Sequence, residues 1–212
     1  MTSQSIEKIR ASRIVPVVII DDPSVVVDLA DALLAAELRV IEITFRTTAA
    51  AQAVANLAAK RPALLIGAGT LLTAGQVRQA RDAGAQFGVA PGLNPRTVEA
   101  AQEVGLEFAP GVATPSEVEL ALELGCKLQK FFPAEQAGGA RMLGAWEGPY
   151  AHTGVQFIPT GGINQSNLKN YLALKSVAAI GGSWFVEKSL IAARNWKTIT
   201  QLTRAAIEAA RT

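Results

Sequence analysis

Short runs of β-branched and other apolar residues alternate along the chain with longer stretches rich in alanine and leucine. Short continuous apolar runs are typical of buried parallel strands, and the longer amphipathic stretches predict helices. The predicted strands are Ile14–Ile19, Val40–Phe45, Leu64–Gly67, Gln86–Ala90, Leu106–Ala109, Lys127–Phe132, Val155–Pro159 and Val177–Ile180. The predicted helices are Ser24–Ala36, Ala49–Lys60, Ala74–Ala83, Pro95–Val104, Pro115–Leu124, Gly139–Trp146, Gln165–Ala173 and a final helical region through Thr212.

Eight successive strand–helix units predict an α/β fold of the (β/α)8 TIM barrel type, and residues 1–12 predict an extra N-terminal helix. Each unit is long enough for a right-handed parallel crossover. No linker rich in Pro, Gly or Ser divides the chain, so residues 1–212 are expected to form a single domain. An open doubly wound sheet has the same alternation, but no G-x-G-x-x-G follows the first strand. In a barrel, the chemistry is expected where strands end and βα loops begin.

Composition narrows the classes of function. The chain has 212 residues, of which 50% are hydrophobic and 18% charged, which indicates a well-packed globular protein. A net charge of +2 on scattered cations gives no reason to expect a nucleic-acid partner. The first apolar run, Ile14–Ile20, is too short to cross a bilayer, and no signal peptide precedes it, so a cytoplasmic protein without a membrane partner is expected. Cys126 is the single cysteine and permits no intrachain disulfide. With His152 as the single histidine, the chain has too few ligands for a catalytic zinc site, so zinc is not expected to drive the chemistry.

Lys130 is the first candidate for chemistry. Alternation along the sixth predicted strand places Leu128, Lys130 and Phe132 on one face, which is expected to be the barrel interior. Burial disfavours the charged ammonium form, and the neutral amine is the form that attacks a carbonyl. The alternative is a structural lysine that reaches solvent or pairs with a carboxylate.

The second predicted strand carries a polar face of Glu42, Thr44 and Arg46. A carboxylate near an interior lysine can move protons, directly or through one water. An arginine at the strand end can bind a substrate carboxylate with two hydrogen bonds. The alternative is an ion pair between Glu42 and Arg46 that only fills a polar layer.

Glycine-rich segments close the last two predicted strands, Thr160-Gly161-Gly162-Ile163-Asn164 and Gly181-Gly182-Ser183. Loops in these two places form the common phosphate site of barrel enzymes, although glycine pairs also occur in ordinary turns. Thr70 can donate a hydroxyl to a carboxylate or cap a helix. Pro91 can line the pocket or belong to a plain turn. His152 lies between the sixth helix and the seventh strand, on the rim away from the expected site.

The chain resembles the 2-keto-3-deoxy-6-phosphogluconate (KDPG) aldolases, which also act on 4-hydroxy-2-oxoglutarate (KHG). The similarity runs nearly end to end and rests on eight segments in order. They are Arg13-Ile-Val-Pro-Val-Val, Ile41-Glu-Ile-Thr-Phe-Arg-Thr, Ile66-Gly-Ala-Gly-Thr, Pro91-Gly-Leu, Pro110-Gly-Val, Lys130-Phe-Phe-Pro-Ala-Glu, Pro159-Thr-Gly-Gly-Ile and Ile180-Gly-Gly-Ser-Trp.

The resemblance implies a Schiff-base aldolase that needs neither a metal nor a cofactor and acts on a phosphorylated keto acid in the Entner-Doudoroff pathway. It also implies a homotrimer, which is common in the family. It implies that Lys130 forms the imine and that Glu42 is the general acid–base. It implies further roles in three groups: Arg46 and Thr70 at the substrate carboxylate, Pro91 and Phe132 as apolar walls, and Gly161, Gly162, Gly182 and Ser183 at the phosphate.

Two positions depart from the family pattern. Ala90 stands where relatives carry serine, and Ile19-Ile20 stands where some related barrels have an arginine. Two rival hypotheses remain: another phosphate-binding barrel enzyme, an epimerase or isomerase, with a structural Lys130, and a non-catalytic barrel that binds a sugar phosphate or a partner protein.

Overall fold

The computed structural model describes residues 4–211, and within them strands and helices alternate as the sequence predicts. The strands are β1 (Ile14–Val18), β2 (Val40–Thr44), β3 (Leu65–Gly69), β4 (Phe87–Val89), β5 (Glu107–Ala109), β6 (Gly111–Val112), β7 (Leu128–Phe131), β8 (Gln156–Phe157) and β9 (Ile180–Gly182). The helices are α1 (Gln4–Ser12), α2 (Val26–Ala35), α3 (Ala50–Lys60), α4 (Ala74–Asp82), α5 (Pro95–Glu103), α6 (Pro115–Glu123), α7 (Gly139–Tyr150), α8 (Leu168–Leu172), α9 (Lys188–Ala192) and α10 (Trp196–Arg211). The predicted N-terminal helix is therefore present as α1, and residues 1–3 and 212 lie outside the described residues.

The strands form two parallel sheets. A six-stranded sheet has the order β5-β4-β3-β2-β1-β9, and a three-stranded sheet has the order β6-β7-β8. Each named pair is parallel, as expected for strands joined by helical crossovers. The α/β class and the parallel pairing are confirmed, and the six-stranded sheet curls into half of a barrel.

The fifth predicted strand, Leu106–Ala109, corresponds to β5, and a short strand that was not predicted, β6, follows Pro110. Residues before Pro110 pair with β4, and residues after it pair with β7. Proline has no backbone N–H to donate to a ladder, so an interruption at this position is physically reasonable. The carbonyl of Pro110 still accepts a hydrogen bond of 2.8 Å from the Lys130 amide.

The last strand begins later than the sequence predicts. The prediction was Val177–Ile180, whereas β9 spans Ile180–Gly182 and pairs with β1. Val177 makes only an isolated parallel bridge to Phe157. The predicted strand stops before Gly181 because glycine is unfavourable in strands in general. In the structure Gly181 lies within β9, where any side chain would collide with Thr160.

Side-chain caps define where three helices begin, and all three begin at the predicted residues. Thr73 and Asn94 accept hydrogen bonds from backbone N–H groups in the first turns of α4 and α5. Thr114 and Glu117 form a capping box at the start of α6. These helices follow β3, β4 and β6, so their caps also define the loops at the carboxyl ends of those strands.

The hydrophobic core is continuous from α1 to α10 and contains most of the strand side chains. Its few buried polar side chains include Glu42, Thr44, Gln129, Lys130 and Thr160. Burial of a charged group costs free energy unless the group is paired or has a role in chemistry, so Glu42 and Lys130 are the candidates for the active site among these side chains. Within residues 4–211, no helix is both long and apolar enough to span a bilayer.

Candidate active site

Lys130 and Glu42 meet inside the fold although they are 88 residues apart in the chain. The Lys130 Nζ lies 3.4 Å from Glu42 Oε1. Their side chains are 5% and 3% exposed, so both charges are almost completely removed from water. Lys130 therefore does not extend to solvent, which excludes one of the two structural interpretations of this residue.

Strand alternation places both side chains on the inner face. Lys130 is the third residue of β7 and is in register with Gly111, and Glu42 is the third residue of β2 and is in register with Gly67. Thr44, two residues after Glu42, is also buried and donates a hydrogen bond to the carbonyl of Val18. The polar face predicted for β2 is therefore interior.

Gly69 allows the Glu42 carboxylate to lie directly against the main chain of β3. A Cβ on Gly69 would overlap Glu42 Oε1 and lie 2.7 Å from its carboxyl carbon. Any larger residue at position 69 would displace the carboxylate. In the sequence Gly69 is only a member of the Ile66-Gly-Ala-Gly-Thr segment, and its contact with Glu42 could not be inferred from spacing.

Arg46 and Thr70 lie together just beyond the carboxyl ends of β2 and β3. The Arg46 Nε donates a hydrogen bond of 3.0 Å to Thr70 Oγ1. Thr70 has a positive φ of 58°, an uncommon conformation for a β-branched residue. Arg46 is exposed and, within residues 4–211, forms no ion pair with Glu42. The alternative of a Glu42–Arg46 pair is wrong, because Glu42 pairs with Lys130.

Phe132 lies near the Lys130 amine, and Pro91 lies against Gly111, the neighbour of Lys130 in the sheet. The Lys130 Nζ lies 5.5 Å from the centre of the Phe132 ring. The main chain at Pro91 packs against Gly111, the residue in register with Lys130, so closely that a Cβ on Gly111 would overlap the Pro91 carbonyl. Both residues are partly exposed, which suits walls of an open pocket.

The glycines predicted for a phosphate site come together beyond Phe132. Thr160 bridges to Gly181, so the segments that follow them run side by side. Gly161 and Gly162 have positive φ angles of 103° and 76°, and Gly182 is buried within β9. Ser183 is exposed immediately after β9.

Three consecutive backbone N–H groups, those of Gly161, Gly162 and Ile163, donate no hydrogen bond to the part of the chain that the structure describes. Successive N–H groups in such a turn can bind an anion.

Sequence reasoning missed a contact between Tyr171 and Glu135. The buried Tyr171 hydroxyl donates a hydrogen bond to the Glu135 carboxylate. Glu135 ends the Lys130–Glu135 segment, and its side chain packs over Gly162. The two residues are 36 positions apart, and no pattern in the sequence relates them.

The single cysteine and histidine lie away from these residues. Burial, and then the charge of Glu107, raise the pKa of Cys126 to about 11, so this thiol stays protonated and unreactive at neutral pH. His152 is exposed in the short helical segment after α7. Within residues 4–211, no three His, Cys, Asp or Glu side chains are grouped as a metal site.

Comparison with known proteins identifies close relatives. Residues 5–202 match the family model described as KDPG and KHG aldolase. The chain is 49% identical to a 2-dehydro-3-deoxy-phosphogluconate aldolase of Haemophilus influenzae, over 98% of this chain and 97% of the relative. It is 42% identical to the KHG/KDPG aldolase of Escherichia coli K12, over 93% of this chain and 92% of the relative.

A crystal structure of the KDPG aldolase from Legionella pneumophila has a similar fold. The TM-score is 0.92 at 41% identity, and the alignment covers 96% of this chain and 98% of the other. That crystal contains pyruvate captured as a covalent carbinolamine intermediate.

Proposed function

The chain belongs to the KDPG and KHG aldolase family, and from this membership we propose that it is a class I aldolase that cleaves KDPG to pyruvate and glyceraldehyde 3-phosphate. The observation that carries the proposal is a buried lysine amine, 3.4 Å from a buried carboxylate. Such a pair suits Schiff-base chemistry because the lysine is a nucleophile and the carboxylate can exchange protons with it.

Lys130 begins the reaction by attacking the C2 carbonyl of the keto acid, and the resulting carbinolamine loses water to form an iminium ion. The C3–C4 bond then breaks, and its electron pair moves onto the iminium to form an enamine. The proton of the C4 hydroxyl passes to Glu42, directly or through one water. Protonation of the enamine at C3 and hydrolysis of the imine release pyruvate and restore the lysine amine.

The contacts around Lys130 orient the substrate along one line. On one side, Glu42 and Gly69 lead to Thr70 and Arg46, which suit the pyruvyl carboxylate. On the other side, Phe132 separates Lys130 from Gly161. Phe132 and Pro91 are proposed as the apolar walls.

We assign the phosphate to Gly161, Gly162, Gly182 and Ser183. One departure affects this end of the site, because β1 is followed by Ile19-Ile20 and supplies no arginine for the phosphate. The other, Ala90, lies beside Pro91 and supplies no hydroxyl for a polar contact there.

Several wider features belong to the same proposal. We infer that residues 1–212 form one domain and that the two sheets make one eight-stranded barrel, since Pro110 joins β5 to β6 and Gly181 N donates to Pro159 O at 2.9 Å. A homotrimer is proposed from the family resemblance, and a cytoplasmic location is proposed with it. A place in the Entner-Doudoroff pathway follows from KDPG as the substrate. KHG is proposed as a second substrate because Lys130, Glu42 and Arg46 require no phosphate.

Borohydride trapping tests the proposal against its rivals. Incubation with pyruvate and sodium borohydride is expected to reduce the imine to a stable secondary amine, which leaves one 1-carboxyethyl group on the Lys130 nitrogen, located by peptide mass spectrometry. Neither an epimerase or isomerase with a structural lysine nor a non-catalytic barrel forms this adduct. Absence of the adduct, with pyruvate in excess, would reject the Schiff-base mechanism.

Substitution Gly69→Ala is expected to lower kcat for KDPG by about tenfold or more, because the new methyl group displaces the Glu42 carboxylate from its place beside Lys130. Initial-rate kinetics measure the effect. Gly75→Ala, where the nearest atom to a new Cβ is 3.8 Å away, serves as the matched control. Equal activity in both variants would show that the close packing of Glu42 on Gly69 has no catalytic importance.

A further inference from the structure

The carbonyl groups of the Thr160–Gly162 segment all accept hydrogen bonds. The amides of Ala134 and Glu135 donate to the carbonyls of Thr160 and Gly161, at 2.8 and 3.1 Å. The Asn167 side-chain amide donates to the carbonyl of Gly162 at 3.1 Å. In a trans peptide the N–H of the next residue points opposite to the carbonyl. Each of the N–H groups of residues 161, 162 and 163 therefore points away from the partner of the preceding carbonyl, and none of them donates a hydrogen bond within residues 4–211.

Glu135 supplies more than its backbone amide to this arrangement. Its side chain packs over Gly162, where an added Cβ would lie 2.7 Å from Glu135 Cγ. Its carboxylate lies beside Gly139, at the start of α7, and accepts the hydrogen bond from the Tyr171 hydroxyl. Glu135 thus connects the residues that follow β7 with the glycine loop that follows β8.

Tyr171 anchors the other end of this contact. It lies in α8, the helix that follows the glycine loop, and is only 1% exposed. Burial, and then the hydrogen bond to Glu135, raise the pKa of Tyr171 well above its usual range, so the hydroxyl remains a hydrogen-bond donor. A buried donor that lost its acceptor would be costly, so this contact restrains Glu135.

We propose that Glu135 and Tyr171 form a positioning pair that holds the Gly161–Gly162 loop in the shape required for the substrate phosphate. The inference rests on the proposed function and assigns to this pair the preference for phosphorylated over unphosphorylated substrates. Neither residue touches the reacting atoms. Their contribution is preorganisation, since a loop held with its N–H groups already aligned loses less entropy when the anion binds.

Two reactions separate positioning from general structural support. Cleavage of KDPG uses the phosphate loop. Exchange of the pyruvate methyl protons with solvent deuterium needs Lys130 and Glu42 but involves no phosphate. Both reactions are measured on full-length Tyr171→Phe and Glu135→Ala, the first by KM and kcat and the second by NMR.

For both variants we expect KM for KDPG to rise about tenfold, as lost binding predicts, with pyruvate exchange unchanged. Glu135→Gln, which retains an acceptor for the tyrosine hydroxyl, is expected to restore most of the affinity. The matched control is Tyr150→Phe, which removes a hydroxyl bound to Glu119 at 2.8 Å on the surface and is expected to change neither reaction.

Two results would overturn the inference: an unchanged KM for KDPG in Tyr171→Phe and Glu135→Ala, or an equal loss in both reactions, which indicates general structural damage. Wild-type protein that neither cleaved KDPG nor exchanged pyruvate protons would overturn the proposed function as well. Failure of the proposed function is distinguishable from failure of the positioning pair, because the wild-type protein is measured before any variant is made.

Discussion

Replacement of Lys130 by alanine is expected to lower kcat for KDPG cleavage on the order of 10⁵-fold, close to background. Without the amine there is no carbinolamine and no iminium ion to accept the electrons of the C3–C4 bond. Arg46 and the glycine loop remain and can still bind the substrate, so the loss is expected in kcat. A coupled assay for pyruvate release measures it.

The same variant leaves the Glu42 carboxylate buried without its cation, so some loss of stability is also expected. Circular dichroism and thermal unfolding are therefore measured beside the kinetics, to show that the inactive variant is folded. Lys127→Ala is the matched control, since Lys127 is exposed just before β7. Cleavage that persisted in folded Lys130→Ala would disprove the assignment of the nucleophile.

For Glu42→Gln we expect turnover to fall by roughly 10²–10⁴-fold, the range typical of a lost general acid–base. The amide is nearly isosteric with the carboxylate and retains a hydrogen-bond acceptor for Lys130, but it cannot accept a proton. Both KDPG cleavage and pyruvate proton exchange are expected to slow, because each transfers protons. Steady-state rates and NMR exchange rates provide the two measurements.

A different pattern is expected if Glu42 only pairs with the lysine. Turnover would then remain near the wild-type value, and only thermal stability would change. Glu99→Gln, on the exposed face of α5, controls for the loss of one negative charge. Comparison of the two variants thus separates proton transfer from charge pairing.

The sequence predicted which strand faces carry the chemistry but not which side chains meet. Period-two alternation placed Lys130 and Glu42 on inner faces because side chains of a strand alternate whatever the neighbouring strands are. The partner of Glu42 was left open between Arg46 and a distant residue. Only the curvature of the sheets brings β2 and β7 into contact across the interior.

Errors in the predicted strands have a local cause. The strand at Val177–Ile180 was placed too early because its glycines suggested a loop, whereas tertiary packing against Thr160 requires glycine inside β9. The predicted strand Leu106–Ala109 stops before Pro110, and the residues after Pro110 form a further short strand, β6, which pairs with β7. Strand propensity describes the preference of a residue in isolation, and the close approach of another segment in the folded protein overrides that preference.

The pairing of β1 with β9 has a consequence for biosynthesis. Residue 14 is in register with residue 180, so the edge of β1 opposite β2 has no neighbour until residue 180 has left the ribosome. Contacts between such distant positions slow folding, and an unpaired edge strand invites aggregation while it waits. Nascent chains arrested before residue 180 are therefore expected to need protection by chaperones, which full-length chains no longer require.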